Sequence, residues 1–381
     1  MRDARLDRMA QVIVHYSLNV KSGDLVWLLG ELGGLSLFEA IYEEMMKAGA
    51  HVYSTFIPPG WEEIFYKHAS DNQLRHTCPF LLHNASTCHK RVRLIAPANT
   101  RGLSSVDSRA QAMHSQSMQP ILAQTLNRSA LGELDWVVTL CPTAAGAQEG
   151  EMGIHEYEDF VFNAANLDEK DPVAFMQNQQ KQQEKMIRFL EKKKELHFKT
   201  PAGTDLLVNV EGMRWMNSCG KRNYPDGEVF TGPNLNVPDG GINGVVRFTY
   251  PAIWQGTAVE NVQLIFEKGR VVSATADKNE KFLQTIIAQD KGASTLGEIA
   301  IGTNYKIKKF TSNILFDEKI GGTFHAALGM GYPETGNCNQ SALHWDMICD
   351  LRQGGTIEAD GEVISKDGKF SHHDWPHDRS Q

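Results

Sequence analysis

The stretch L-V-W-L-L-G-E-L-G-G-L-S-L-F-E-A-I-Y-E-E-M-M-K-A-G-A-H-V-Y-S-T-F (25–56) decides the fold of the N-terminal part. L-V-W-L-L (25–29) is a short apolar run bounded by glycine, which predicts a buried strand. From 37 to 49 the periodicity changes. Phe38, Ile41, Tyr42, Met45 and Met46 fall on one helical face, and Gly49 ends it. H-V-Y-S-T-F (51–56) then reads as a second buried strand. A strand, a helix and a strand in such short order form a crossover unit, so the two strands are expected to be parallel.

The same alternation continues. V-R-L-I-A (92–96) and W-V-V-T-L (136–140) read as further buried strands, and 107–128 as a helix interrupted near Pro120. The expected first domain is therefore an α/β unit whose parallel sheet is covered on both faces, residues 1–197. It includes a Gln- and Lys-rich segment near 171–195, read as a largely exposed linker helix that starts at Asp171-Pro172. After T-P-A-G-T-D (200–205) short apolar runs alternate with Gly, Asn and Asp turns. E-K-G-R (267–270) signals a hairpin, helical patterning returns at 279–291, and the segment around 338–351 also fits a helix. This predicts a second, α+β domain over 198–381, ending in a mobile tail from S-H-H-D-W-P-H.

Composition narrows the classes. At 381 residues two domains are the prior, and 41% hydrophobic with 22% charged residues is a globular balance. A net charge of −8 argues against nucleic acid as a partner. No run approaches the ~20 apolar residues of a membrane span, and the charged N-terminal residues lack a signal-peptide core, so a cytoplasmic protein is expected. The six cysteines contain no C-x-x-C pair and are read as reduced thiols.

The chemistry concentrates in the second half. Glu228 follows a Pro-Asp-Gly turn in N-Y-P-D-G-E-V-F-T (223–231). Glu298 stands in the apolar run L-G-E-I-A-I-G, where an unpaired buried carboxylate would cost several kcal/mol. Glu318 lies in F-D-E-K, His325 in G-G-T-F-H-A-A-L-G, and His344 with Asp346 in H-W-D, where alternate strand residues share a face. Carboxylates and imidazoles are ligands for zinc, cobalt, manganese or iron. Taken singly, each has a bland reading: an exposed turn glutamate, a satisfied core histidine, a common tripeptide. Taken together they exceed the needs of one ion, which points to two divalent ions and to metal-assisted hydrolysis. Tyr332, seven residues after His325, is either a donor to an oxyanion or a space-filler. Gly30, Gly33 and Gly34 miss the dinucleotide spacing, and no acidic residue closes the next strand. His372, His373 and His377 offer at most loose metal binding from a tail.

These residues resemble the thermophilic aminopeptidase family of metallopeptidases, the aminopeptidase T and S type. The resemblance runs through E-Y-E-D-F (156–160), T-P-A-G-T-D-L (200–206), N-Y-P-D-G-E-V-F-T-G-P (223–233), G-A-S-T-L-G-E-I-A (292–300), F-D-E-K-I-G-G-T-F-H-A-A-L-G-M-G-Y (316–332) and N-Q-S-A-L-H-W-D (339–346). It implies an N-terminal α/β domain, a C-terminal metal-binding domain, and a homodimer that removes N-terminal residues from peptides with two divalent ions (zinc, cobalt, magnesium or manganese). By position it makes Glu228, Glu298, Glu318, His325, His344 and Asp346 metal ligands and Tyr332 the catalytic tyrosine; for a water held between two ions, Glu298 is the expected bridging carboxylate. The insert Gly321-Gly322-Thr323 lengthens the link between Glu318 and His325 relative to the family. The scaffold also resembles iron dioxygenases that open dihydroxypyridine rings. A metal-stabilised peptide-binding protein without catalysis is the third reading.

Overall fold

The computed structural model describes residues 2–254 and 256–378. The chain divides into two compact units, one of Met1–Val173 with Gly220–Pro225 and one of Ala174–Cys219 with Asp226–Gln381.

The first unit is built on a five-stranded sheet that is parallel throughout. Its order is His51–Ile57, Leu25–Glu31, Lys90–Ile95, Asp135–Leu140 and the two-residue strand Asn223–Tyr224. The crossover unit is as expected: the helix Leu35–Lys47 joins the first two strands and buries Leu37, Phe38, Ala40, Ile41 and Met45. Burying each large side chain is worth about 1.5–3 kcal/mol. Against the expectation of a buried strand, His51–Ile57 is half-exposed, because it is the sheet's edge. The helix Ser108–Ala130 runs through Pro120 unbroken. Proline removes its own N–H from the ladder and crowds the carbonyl four residues back; the Thr77 hydroxyl donates to the carbonyl of Ser117 at 2.7 Å, next to the weakened turn. Glu31, at the end of the first strand, is committed to structure: it accepts from Arg93 and from the Ala96 N–H, both at 2.7 Å.

The second unit packs two antiparallel sheets over one core. One sheet has eight strands, and E-K-G-R closes a hairpin within it: Lys268 and Gly269 both have positive φ (49° and 80°), as a tight two-residue turn requires. The other has five strands in the order His344–Asp350, Thr323–Gly329, Leu296–Gly302, Glu228–Thr231 and Met216–Ser218. The segment around 338–351, which fitted a helix, is therefore a strand from His344 onward. Period-two alternation decides the matter: Trp345, Met347 and Cys349 enter the core, and His344 and Asp346 take the other face. The rings of Phe198 and Phe324 stack across the core at 4.3 Å. The helix Pro172–Leu190 is not largely exposed. It buries Met176, Gln179, Gln183, Met186, Ile187 and Leu190, and the last-named three-residue apolar group of Met186, Ile187 and Leu190 joins this core. In the C-terminal stretch, Trp375 is buried against Phe189 and Phe370. Residues 379–381 lie outside the described part.

Candidate metal centre

Register brings most of the centre together on the face of the five-stranded sheet that is turned away from the hydrophobic core. Glu298 pairs with Ala327, and Ala327 with Asp346, so one row across three strands reads carboxylate, methyl, carboxylate. His325 lies two residues before Ala327 and His344 two before Asp346, so both imidazoles share that face. Glu228 opposes Gly302, two pairs along from the Ala300–His325 pairing. Ala300, Gly302, Ala327 and Gly329 alternate with the charged residues, and backbone packs against both glycines: a Cβ at 302 would stand 2.1 Å from the Ile320 carbonyl oxygen, and one at 329 would stand 2.2 Å from that of Leu343. The residues between (Ile299, Ile301, Phe324, Ala326, Leu328) form the core behind. Sequence, pleat and packing thus place charge on one face and hydrocarbon on the other.

Five of the six expected ligands come directly from these strands. Glu298 Oε1 lies 3.5 Å from His325 Nε2, and Oε2 lies 3.4 Å from His344 Nε2, so one carboxylate spans both imidazoles. Asp346 Oδ1 is 3.9 Å from His325 Nε2 and 3.7 Å from His344 Nε2. Glu228 Oε2 is 3.6 Å from His325 Nε2. The sixth, Glu318, follows the one-turn helix Ile314–Asp317. Two trios have ligand atoms mutually within 4.8 Å: Glu298, His344 and Asp346, and Glu318, His325 and Asp346. Asp346 belongs to both.

The residues fit a metal. Each histidine spends Nδ1 on a backbone carbonyl, His325 on Glu318 at 3.1 Å and His344 on Met330 at 2.9 Å, which turns Nε2 inward. A ligating histidine is normally fixed in this manner. Glu228 Oε2 is buried and accepts no hydrogen bond, an orphan that an ion would satisfy.

The electrostatics are those of crowded charges. Burial pushes Glu228 up to about 8 despite Lys319 beside it. Burial acts in the same direction on Glu298, but His325 and His344 outweigh it and hold that carboxyl at about 2. Burial also raises Asp346. The two imidazoles respond inversely. Burial disfavours their charged forms, yet Glu298, Glu228 and Asp346 raise His325 to about 9, and Asp346 with Glu298 raises His344 to about 10.

Tyr332 sits at the rim, 37% exposed, with its ring 5.2 Å from His344 and 5.4 Å from Phe230. Desolvation and then the charges of Glu298 and Asp346 push its phenol strongly upward, so it stays a hydrogen-bond donor.

Three participants were not found by reading the sequence. Lys319 is fully buried, 2.8 Å from Glu228 Oε1 and in contact with Glu318 Oε1. Asp226 is buried 3.9 Å from the same ammonium. Gln183 donates to the Glu228 carbonyl at 2.6 Å and to the Ser218 carbonyl at 3.0 Å, tying the long helix to the Glu228 strand. A lysine beside a glutamate in F-D-E-K gave no hint of burial. The signal for Gln183 was its place at helical spacing from Met176, Gln179 and Met186.

Comparison with known proteins gives a consistent answer. Residues 2–370 match the model of a family described as thermophilic metalloprotease (M29). The chain is 25% identical to Aminopeptidase 2 of Geobacillus stearothermophilus, over 96% of this chain and 95% of that one. The structure of wild-type AmpT from Thermus thermophilus superposes with a TM-score of 0.85 at 21% identity, covering 97% of this chain and 99% of the other. The 2,5-dihydroxypyridine dioxygenase of Pseudomonas putida KT2440 shares the fold more loosely, with a TM-score of 0.58 at 14% identity over 97% and 98%.

Proposed function

Because this chain belongs to the thermophilic metalloprotease family M29, we propose that it is a metallo-aminopeptidase that hydrolyses the N-terminal peptide bond of peptides at a centre of two divalent ions. The observation that carries the two-ion reading is Glu298, whose two oxygens each face a different histidine. Glu298, His344 and Asp346 would hold one ion. His325, Glu318 and Glu228 would hold the other, with Glu298 bridging and Asp346, which faces both histidines, within reach of it as well. Divalent ions of the zinc or cobalt kind supply Lewis acidity and a water made nucleophilic near neutral pH.

The chain's own residues do the rest. Tyr332 keeps its phenolic proton and donates it as a hydrogen bond to the oxygen that becomes negative when the carbonyl is attacked. The surplus of carboxylates on this face attracts the free ammonium of a peptide N-terminus, which would confine cleavage to the first bond. We further propose that the protein is a cytoplasmic homodimer whose residues 198–381 form the catalytic domain.

The test is a panel of peptides in pairs, free and N-acetylated, incubated with metal-loaded and chelated protein and read by mass spectrometry. Loss of the first residue from free peptides only, abolished by chelation and restored by zinc or cobalt, is expected. No release, combined with oxygen uptake on a dihydroxypyridine with ferrous iron, would replace the reading by ring cleavage.

A further inference from the structure

The two halves of the centre are not equivalent, and Lys319 makes the difference. Its side chain is completely enclosed, and its ammonium reaches two of the carboxylates on the His325 side, Glu228 and Glu318. It donates to Glu228 Oε1 at 2.8 Å and to Glu318 Oε1, with Asp226 Oδ1 3.9 Å away. Asp226 is itself held by the Ser218 hydroxyl at 3.0 Å and the Gly227 N–H at 2.8 Å. On the His344 side the carboxylates are Glu298 and Asp346, the latter shared with the His325 side, and the ion pairs of Lys319 among the described residues go to Asp226, Glu228 and Glu318 instead. A cation in the His325 half must therefore share its carboxylates with a positive charge already in place. A cation in the His344 half does not.

We infer that Lys319 is a resident cation that weakens the His325 half of the centre, so that the centre fills in order: Glu298–His344–Asp346 first, and the His325 position second and less tightly. This rests on the two-ion reading above. Like charges a few ångströms apart in a buried site repel strongly, so the second step should be weaker than the first by at least about tenfold. The ammonium also fixes one oxygen of Glu228, which explains why Oε1 is occupied while Oε2 faces His325 unpartnered.

The experiment is zinc titration of metal-stripped protein by calorimetry, with chelator competition for the tight step, on the wild type and on Lys319→Met. Activity is not the readout. The wild type is expected to bind two zinc ions in steps separated by about tenfold or more, and Lys319→Met to narrow that gap by tightening the second step. His344→Ala should remove the tight step. Two wild-type steps of equal affinity, or a second step that weakens in Lys319→Met, would overturn the inference. A wild type that binds one zinc, with a second gained in Lys319→Met, would uphold it while refuting the two-ion reading. One zinc in both proteins, or none, would refute it as well. Should Lys319→Met not fold, Lys319→Gln, which keeps hydrogen-bond donors for Glu228 and Glu318 without the charge, takes its place with the same expected and contrary outcomes.

Discussion

Gly297 precedes Glu298 at the bulge where the pairing between Leu296–Gly302 and Thr323–Gly329 slips by one residue. Its backbone is not left-handed, so the reason for glycine there is space. A Cβ at 297 would stand 2.2 Å from the Met330 carbonyl oxygen and 2.5 Å from that of Gly329. An ordinary contact needs the Met330 peptide to retreat by about 1 Å, and such overpacking costs about 1–3 kcal/mol. The Met330 carbonyl is also the group that holds His344 Nδ1 at 2.9 Å. Gly297→Ala should therefore do two things at once. In metal-stripped protein, scanning fluorimetry should show the melting temperature lowered by about 5 °C, from about 2 kcal/mol in a unit of this size. In metal-loaded protein, kcat/KM on an aminoacyl-p-nitroanilide should fall about 100-fold, since a displacement near 1 Å at a catalytic group costs that much. A variant with the wild-type melting temperature and a rate within twofold would refute the link between the bulge and the His344 imidazole.

Four further outcomes are expected. Glu298→Gln should lose zinc as well as turnover, measured by elemental analysis after gel filtration, and a loaded, active variant would remove Glu298 from the bridge. Tyr332→Phe should keep its metal but lose about 100-fold in kcat, as removal of one oxyanion donor does elsewhere. In the metal-free protein His325 and His344 are charged at pH 7, with values of about 9 and about 10. Their raised values stabilise the metal-free fold fully below the unfolded histidine value of about 6.5, and that contribution is lost as pH rises through 9 to 10. Because a metal takes the neutral imidazole and the ionised carboxylate, zinc binding near pH 7 should release about three protons, two from the imidazoles and one from Glu228 at about 8, and should tighten with pH, which calorimetry in buffers of different ionisation enthalpy will show. Sedimentation equilibrium should give twice the monomer mass if the homodimer proposal holds.

How much of this was legible in the sequence depended on range. The parallel first sheet was readable because glycine-bounded apolar runs and a capped amphipathic helix are local signals, and all three lie within 25–56. The edge position of His51–Ile57 was not, because the neighbours that a strand acquires are set by topology and not by its own residues. The ligand types were visible as charges interrupting apolar runs, Glu298 most clearly. Their convergence depends on cross-strand register between segments far apart in sequence, such as Glu228 opposite Gly302. His344–Asp350 illustrates the ambiguity of a short mixed run: the apolar residues around 338–351 fit a helix, while H-W-D fits a strand, and pairing with Thr323–Gly329 decided for the strand. Lys319 was invisible for the opposite reason. Its burial is compensated by partners, Glu228 and Asp226, about ninety residues earlier in the chain, and no local pattern encodes that.

The most direct test of the account is anomalous scattering from crystals of the protein grown with zinc. A strong peak is expected within about 2.0–2.3 Å of His344 Nε2, Glu298 and Asp346, and a second, weaker one beside His325 Nε2 that strengthens with zinc concentration. Zinc bound at His372, His373 or His377 with both His325 and His344 uncoordinated would contradict it.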